Sequence, residues 1–296
     1  MERRTFLKKA GIGITASLTM DPGMLQETAK ESLFSTSGDE IIFFDTCVRI
    51  GNSRAPDPPG NAADVVSLEA MMERHNIRFA AVEHAVAMEA SPRLGQKLLS
   101  EKIAEKSFLW QALHLMPAVS PRIEKAYTDP RELITLRVAL GRVDAKDFCQ
   151  GQGDKAMFGP VLDACSRISL PVFIDFRRQG DVATFDFGIC ERYPRIPFVI
   201  EGFGGYPMHR VFWCLKNYPN LYLSTVEFRL FNGVRFICDE IGESRLIYGS
   251  DWPARSMGMS QGMVLLAGIN KAQRAAIAGG NFLRLLDVVK KEGSKL

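Results

Sequence analysis

A chain of 296 residues is long enough for one large barrel domain or two medium domains. With 46% hydrophobic and 24% charged residues, it has the composition of a globular protein that buries its own core. The net charge is only +3, and no basic cluster is interleaved with aromatics. Nucleic acid is therefore excluded as the expected partner, which leaves a small-molecule substrate.

The first element is a segment over 1–20. Glu2–Lys9 reads E-R-R-T-F-L-K-K and precedes the uncharged stretch Ala10–Met20. A twin arginine, then lysines and a short apolar run, matches a twin-arginine export signal. The run is about half of the ~20 residues that span a bilayer, so no membrane span is expected beyond this segment. Export to the periplasm or cell envelope follows; the alternative is a basic amphipathic helix that stays in the cytosol. Residues 21–40 read as a polar linker, and 41–290 as the folded barrel. Cys47, Cys149, Cys165, Cys190, Cys214 and Cys238 form no C-x-x-C pair, which argues against a zinc ribbon or redox motif.

From Ile41 onward, short apolar runs alternate with longer amphipathic segments. The strands are expected at Ile41–Cys47, Arg78–His84, Phe108–Leu115, Ile134–Leu140, Pro171–Phe176, Pro197–Gly202, Asn220–Val226 and Arg245–Gly249. Near-continuous apolar strands are buried on both sides, as parallel strands covered by helices are. A helical stripe of Phe158, Val161, Leu162, Ala164, Cys165 and Ile168 separates the fourth and fifth strands. Eight β-α units predict an α/β fold closed as a (β/α)8 TIM barrel. No G-x-G-x-x-G follows the first strand, so no dinucleotide cofactor is expected.

Four segments resemble the amidohydrolase-related family of TIM-barrel, metal-dependent hydrolases. Arg245-Leu-Ile-Tyr-Gly-Ser-Asp251-Trp-Pro253 is similar to its last strand, and Gly280-Asn281-Phe-Leu-Arg-Leu-Leu286 to its closing helix. Leu170–Asp175 resembles its fifth strand and Phe198–Gly205 its sixth. The resemblance implies a metal held by histidines from the first, fifth and sixth strands and by Asp251. In this chain Cys47 and Arg49 stand where the first two histidines would be, Asp175 where the third would be, and Gly202, next to Glu201, where the fourth would be. Arginine carries a permanent positive charge and cannot ligate. The expectation is therefore a site without metal or other cofactor, in which Arg49 pairs with Asp251, Asp175 or Asp45.

In such barrels chemistry sits at the C-terminal ends of the strands. Asp251 and Asp175 are the candidate acid and base, with His84 as a further base. Asp45, Cys47, Arg49, Arg137 and Glu201 are candidate substrate-binding residues, and period-2 alternation puts the first three on one face. Each has a plainer alternative: Asp45 as a structural brace, Cys47 as an inert buried thiol, His84 as a hydrogen-bonded core histidine, and the Arg–Asp groups as structural glue. His114 is expected to pack. Two carboxylates flanked by arginines suit hydrolysis or lyase chemistry on a small anionic molecule. The competing reading is an exported barrel that binds without catalysis. The sequence leaves the oligomeric state open.

Overall fold

A computed structural model of the chain describes residues 41–52, 63–116, 125–148, 153–177, 181–205 and 207–296. The export segment and linker expected over 1–40, and Cys149, lie outside these residues. Among the described residues, no helix is long and apolar enough to cross a membrane.

Eight parallel strands form one sheet in sequence order: β1 Phe43–Ile50, β2 Ile77–His84, β3 Leu109–His114, β4 Val138–Asp144, β5 Val172–Asp175, β6 Phe198–Glu201, β7 Leu221–Ser224 and β8 Leu246–Ile247. The sheet curls back on itself. Thr46 N donates to Tyr248 O (3.2 Å), Asp251 N to Cys47 O (2.9 Å) and Arg49 N to Trp252 O (2.9 Å), which joins β1 to β8 and its continuation. This is the expected TIM barrel. Helices pack outside it, and the stripe foreseen between β4 and β5 is buried at all six positions within the helix Gly153–Ile168.

Two strands differ from the expectation. The fourth begins at Val138 rather than Ile134, because Asp129 caps a short helix, Pro130–Thr135, by accepting from Arg131 N (2.9 Å). An acceptor before proline at the first helical position is a helix start, and it outweighs the apolar run. In β1, Asp45 pairs with Ala80 but Val48 with Val82. Thr46 and Cys47 therefore face the single residue Ala81, which is a β-bulge.

The lower end of the barrel interior is aromatic. Phe44 packs on Phe79 (5.8 Å between ring centroids) and on Phe282 (4.9 Å), and Phe282 meets Phe173 (6.1 Å). Phe282 comes from the closing helix Asn281–Gly293. That helix is tied to the start of β8 by Asn281 Nδ2, which donates to Glu243 O (2.6 Å) and Leu246 O (2.7 Å). The G-N-x-x-R-L-L tail is thus a plug and its anchor.

Candidate active site

Because all eight strands run parallel, their C-terminal ends share one rim. Strand register sets Arg49 beside Glu83, His114 beside Arg142, Asp144 beside Asp175, and Asp175 beside Glu201. These polar ends converge into one buried ionic network.

Two arginines organise it. Arg142, in β4 and 1% exposed, donates from Nε to Glu201 Oε2 (2.9 Å), from Nη1 to Glu83 Oε2 (3.2 Å) and from Nη2 to Thr46 O (3.0 Å). Its guanidinium lies 5.8 Å from the Phe173 ring centroid, where the charged mouth meets the aromatic interior. Arg177, two residues beyond β5, grips Asp175 in a fork, with Nε to Oδ1 at 2.9 Å and Nη2 to Oδ2 at 2.7 Å. Its Nη2 also reaches Glu201 Oε2 (3.2 Å), and its Nη1 reaches Cys47 Sγ (3.2 Å) and Asp251 Oδ1. Glu201 Oε2 therefore bridges both guanidinium groups. Such fork geometry is what makes a desolvated ion pair favourable.

The electrostatics split the carboxylates. Burial alone would raise them all, but Arg142 holds Glu83 at about 2 and Arg177 holds Asp175 at about 2. Burial prevails at Glu201 despite both arginines, and at Asp251 despite Arg177 and Arg49, so both lie above the usual carboxylate range. Burial pushes the Cys47 thiol well up, which disfavours it as a nucleophile. Burial opposes a charged His114, yet Glu83 Oε1, 3.2 Å from Nδ1, raises it above the ordinary histidine value.

The residues singled out in the sequence separate into two groups. Asp175, Glu201, Asp251 and Cys47 come together around Arg177. Arg49 lies in the inward row with Glu83, but the arginine that pairs with Asp175 and Asp251 is Arg177, not Arg49. Among the described residues, the buried Nε of Arg49 has no partner. Asp45 leaves the expected face, because the bulge puts it in the outward row of Ala80 and Val82. Its Oδ1 accepts from Cys47 N (3.1 Å) and Ser250 N (2.9 Å) and braces the β1–β8 seam. Burial pushes its carboxyl up to about 7 against these hydrogen bonds.

Arg137 is at the wrong end. It precedes β4 with φ +54, donates to Ser107 O (2.7 Å) and Leu109 O (3.1 Å), and lies over the Trp110 ring. Its partners are neutral carbonyls at the start of β3, at the opposite end of the strands from the site. His84 shares the outward row of Val82, where Nδ1 accepts from Val86 N (3.3 Å) and its ring lies against Gly51. That is a helix cap; burial lowers its proton affinity. Sequence reasoning missed Arg142 and Glu83. Alternation from a correctly placed β4 would have found Arg142, as an arginine inside an apolar strand must meet an anion.

The metal implied by the resemblance does not fit these residues. The donors nearest the centre (Cys47, Asp175, Glu201 and Asp251) all direct acceptor atoms at Arg177. No group of three His, Cys, Asp or Glu among the described residues is arranged to hold a metal ion.

A search of curated protein sequences returns no match. Among solved structures, the chain is similar to 5-carboxyvanillate decarboxylase LigW from Sphingomonas paucimobilis, with 16% identity, a TM-score of 0.63, and 84% of this chain and 99% of that chain covered. It is also similar to dihydroxybenzoic acid decarboxylase from a Polaromonas species, a structure with bound manganese, with 13% identity, a TM-score of 0.63, and 84% and 98% covered. A third is a putative 2-pyrone-4,6-dicarboxylic acid hydrolase from Pseudomonas putida, with 15% identity, a TM-score of 0.62, and 84% and 98% covered. At such identities the likeness shows the fold. The amidohydrolase family model matches residues 137–288, from just before β4 into the closing helix, and the chain belongs to that family.

Proposed function

We propose that this chain is a metal-independent hydrolase or lyase that takes a small carboxylic acid at the barrel mouth. One observation carries the reading: Arg49 lies in the inward row, within electrostatic reach of Glu83 and Asp251, with a buried Nε that has no partner among the described residues. A guanidinium in that position is a receptor for an anion. Asp251, with its raised proton affinity, is the proton donor beside it. In hydrolysis water adds to the acyl carbon, the C–O bond breaks, the Asp251 proton goes to the leaving oxygen, and the proton that the water releases restores Asp251. In decarboxylation the C–C bond breaks, carbon dioxide leaves, and the electron pair left on carbon takes that proton. Asp175 is too acidic for a base and instead holds Arg177 in place. The neighbours support the substrate class, since their names describe action on hydroxybenzoates and a pyrone dicarboxylic acid. The consumption of every central donor by Arg177 supports the absence of a metal requirement.

The test is turnover after chelation. Hydroxybenzoates are assayed for carbon dioxide release and pyrone carboxylates for ring opening. Activity that vanishes with chelator and returns with zinc or manganese sinks the metal-independent reading. A second reading, an exported barrel that binds without catalysis, draws support from burial, because Asp175, Glu201, Phe176, Phe203 and Trp252 are all buried. Saturable carboxylate binding without product would favour it. The twin arginine Arg3-Arg4 supports export by either form. Fractionation of cells carrying the Arg3→Lys, Arg4→Lys double variant tests that, and undiminished export would count against it.

A further inference from the structure

We infer that the Arg177 guanidinium is a built-in cation that has taken over the task of a metal at this mouth, and that Gly202 is the residue that makes room for it. The inference deepens the metal-independent reading and rests on it. Its first support is the ligand count. Arg177 draws on Asp175 Oδ1 and Oδ2, Glu201 Oε2, Asp251 Oδ1 and Cys47 Sγ. These are acceptor types that would otherwise suit a divalent cation. A planar, permanently charged guanidinium satisfies them together without needing an ion from solution.

The second support is steric and independent of the first. Gly202 stands where the family resemblance expects a histidine, and its φ is +72. A Cβ built there would lie 2.3 Å from Arg177 Cγ and 3.1 Å from Cδ. No side chain fits at 202 while Arg177 is seated, and the arginine stem cannot swing aside because both ends of its fork are fixed on Asp175. The expected ligand and the resident guanidinium exclude one another. Charge explains why one of them must be present. Without Arg177, Asp175 would lose its ion pair, Glu201 would keep only Arg142, and Asp251 would keep only the longer contact with Arg255 (3.6 Å).

Zinc is the probe, and thermal stability and calorimetric binding are the readouts. Purified wild type, dialysed against chelator, is expected to keep its melting temperature and to gain nothing from added Zn²⁺. Arg177→Ala is expected to melt well below wild type. It should then recover on the order of 5–10 °C at a hundredfold excess of Zn²⁺ over its Kd. Removal of the thiol by Cys47→Ser in that background should weaken the recovery. Arg177→Lys, which keeps a cation, should show no zinc effect and keeps the test open if the alanine variant does not fold. Wild type that carries or tightly binds stoichiometric metal overturns the inference. So does a folded Arg177→Ala that ignores zinc, or an Arg177→Lys stabilised by zinc. A chain that responds as expected but turns over no acid loses the catalytic reading and keeps this one.

Discussion

The two ends of the barrel interior are filled by opposite chemistries. At the lower end Phe44, Phe79, Phe173 and Phe282 exclude water with rings in contact. At the mouth Arg142, Arg177 and four carboxylates exclude it with charges in contact. The aromatic end is stabilised roughly in proportion to area and tolerates changes of shape. The charged end is favourable only as a whole, because removal of one partner strands the rest in a medium that cannot solvate them. Packing therefore fixes the fold at one end, while the other end holds a constellation of groups that cannot drift.

The largest effect expected from this contrast is at Arg142. Arg142→Met fills similar volume but leaves Glu83 with only His114 and Glu201 with only Arg177, and should cost about 5 kcal/mol in denaturant unfolding. A loss under about 1 kcal/mol would erase the distinction between the two ends. Phe282→Ala, the matching deletion below, should cost about 3–4 kcal/mol through its cavity, measured the same way.

Asp45 sharpens the comparison through pH. Its folded value of about 7 lies above the ordinary 3.8, so between these values the folded state holds a proton that the unfolded chain has released. Stability from this group is therefore present below about pH 4 and is lost as pH rises through about 7. Asp45→Asn keeps an acceptor for Cys47 N and Ser250 N. It should gain about 2 kcal/mol over wild type at pH 8 and nothing at pH 4. An equal gain at both values would remove the titration as its cause. Glu83 and Asp175, at about 2, act in the opposite sense: their stabilisation is present above about pH 4 and is lost below it. The smallest effect on stability is expected at Arg49. Arg49→Met should cost about 1 kcal/mol, less than the changes above, yet abolish binding of benzoate-type anions. Retained binding, measured by calorimetry, would assign the anion site elsewhere.

The barrel was legible because its strands are uniformly apolar, as in VFID and FVIE, a pattern that only burial on both faces requires. The closing helix was legible from Gly280-Asn281. The site was legible only in part. Asp175, Glu201 and Asp251 close or follow their strands, so their position on the rim follows from sequence. Period-2 alternation failed for Asp45 because a bulge inserts one residue into β1, and nothing in Asp-Thr-Cys announces it. A fourth strand over Ile134–Leu140 carries Arg137 and leaves out Arg142, whereas β4 runs from Val138 to Asp144 and does the reverse. Arg177 lies beyond its strand. Its reach to Cys47 and Asp251 depends on the missing side chain at 202, a relation between two distant positions that no local pattern carries.

That relation also couples two distant substitutions. With Arg177 seated, a histidine placed at 202 collides with its stem; loss of Arg177 alone leaves Asp175 without its ion pair. Either change alone damages the mouth, whereas the two together need not, so the effects of positions 177 and 202 are expected to be strongly non-additive. The pair fixes a guanidinium at the centre of the mouth, so a change in what the mouth accepts has to come from the rim around that charge.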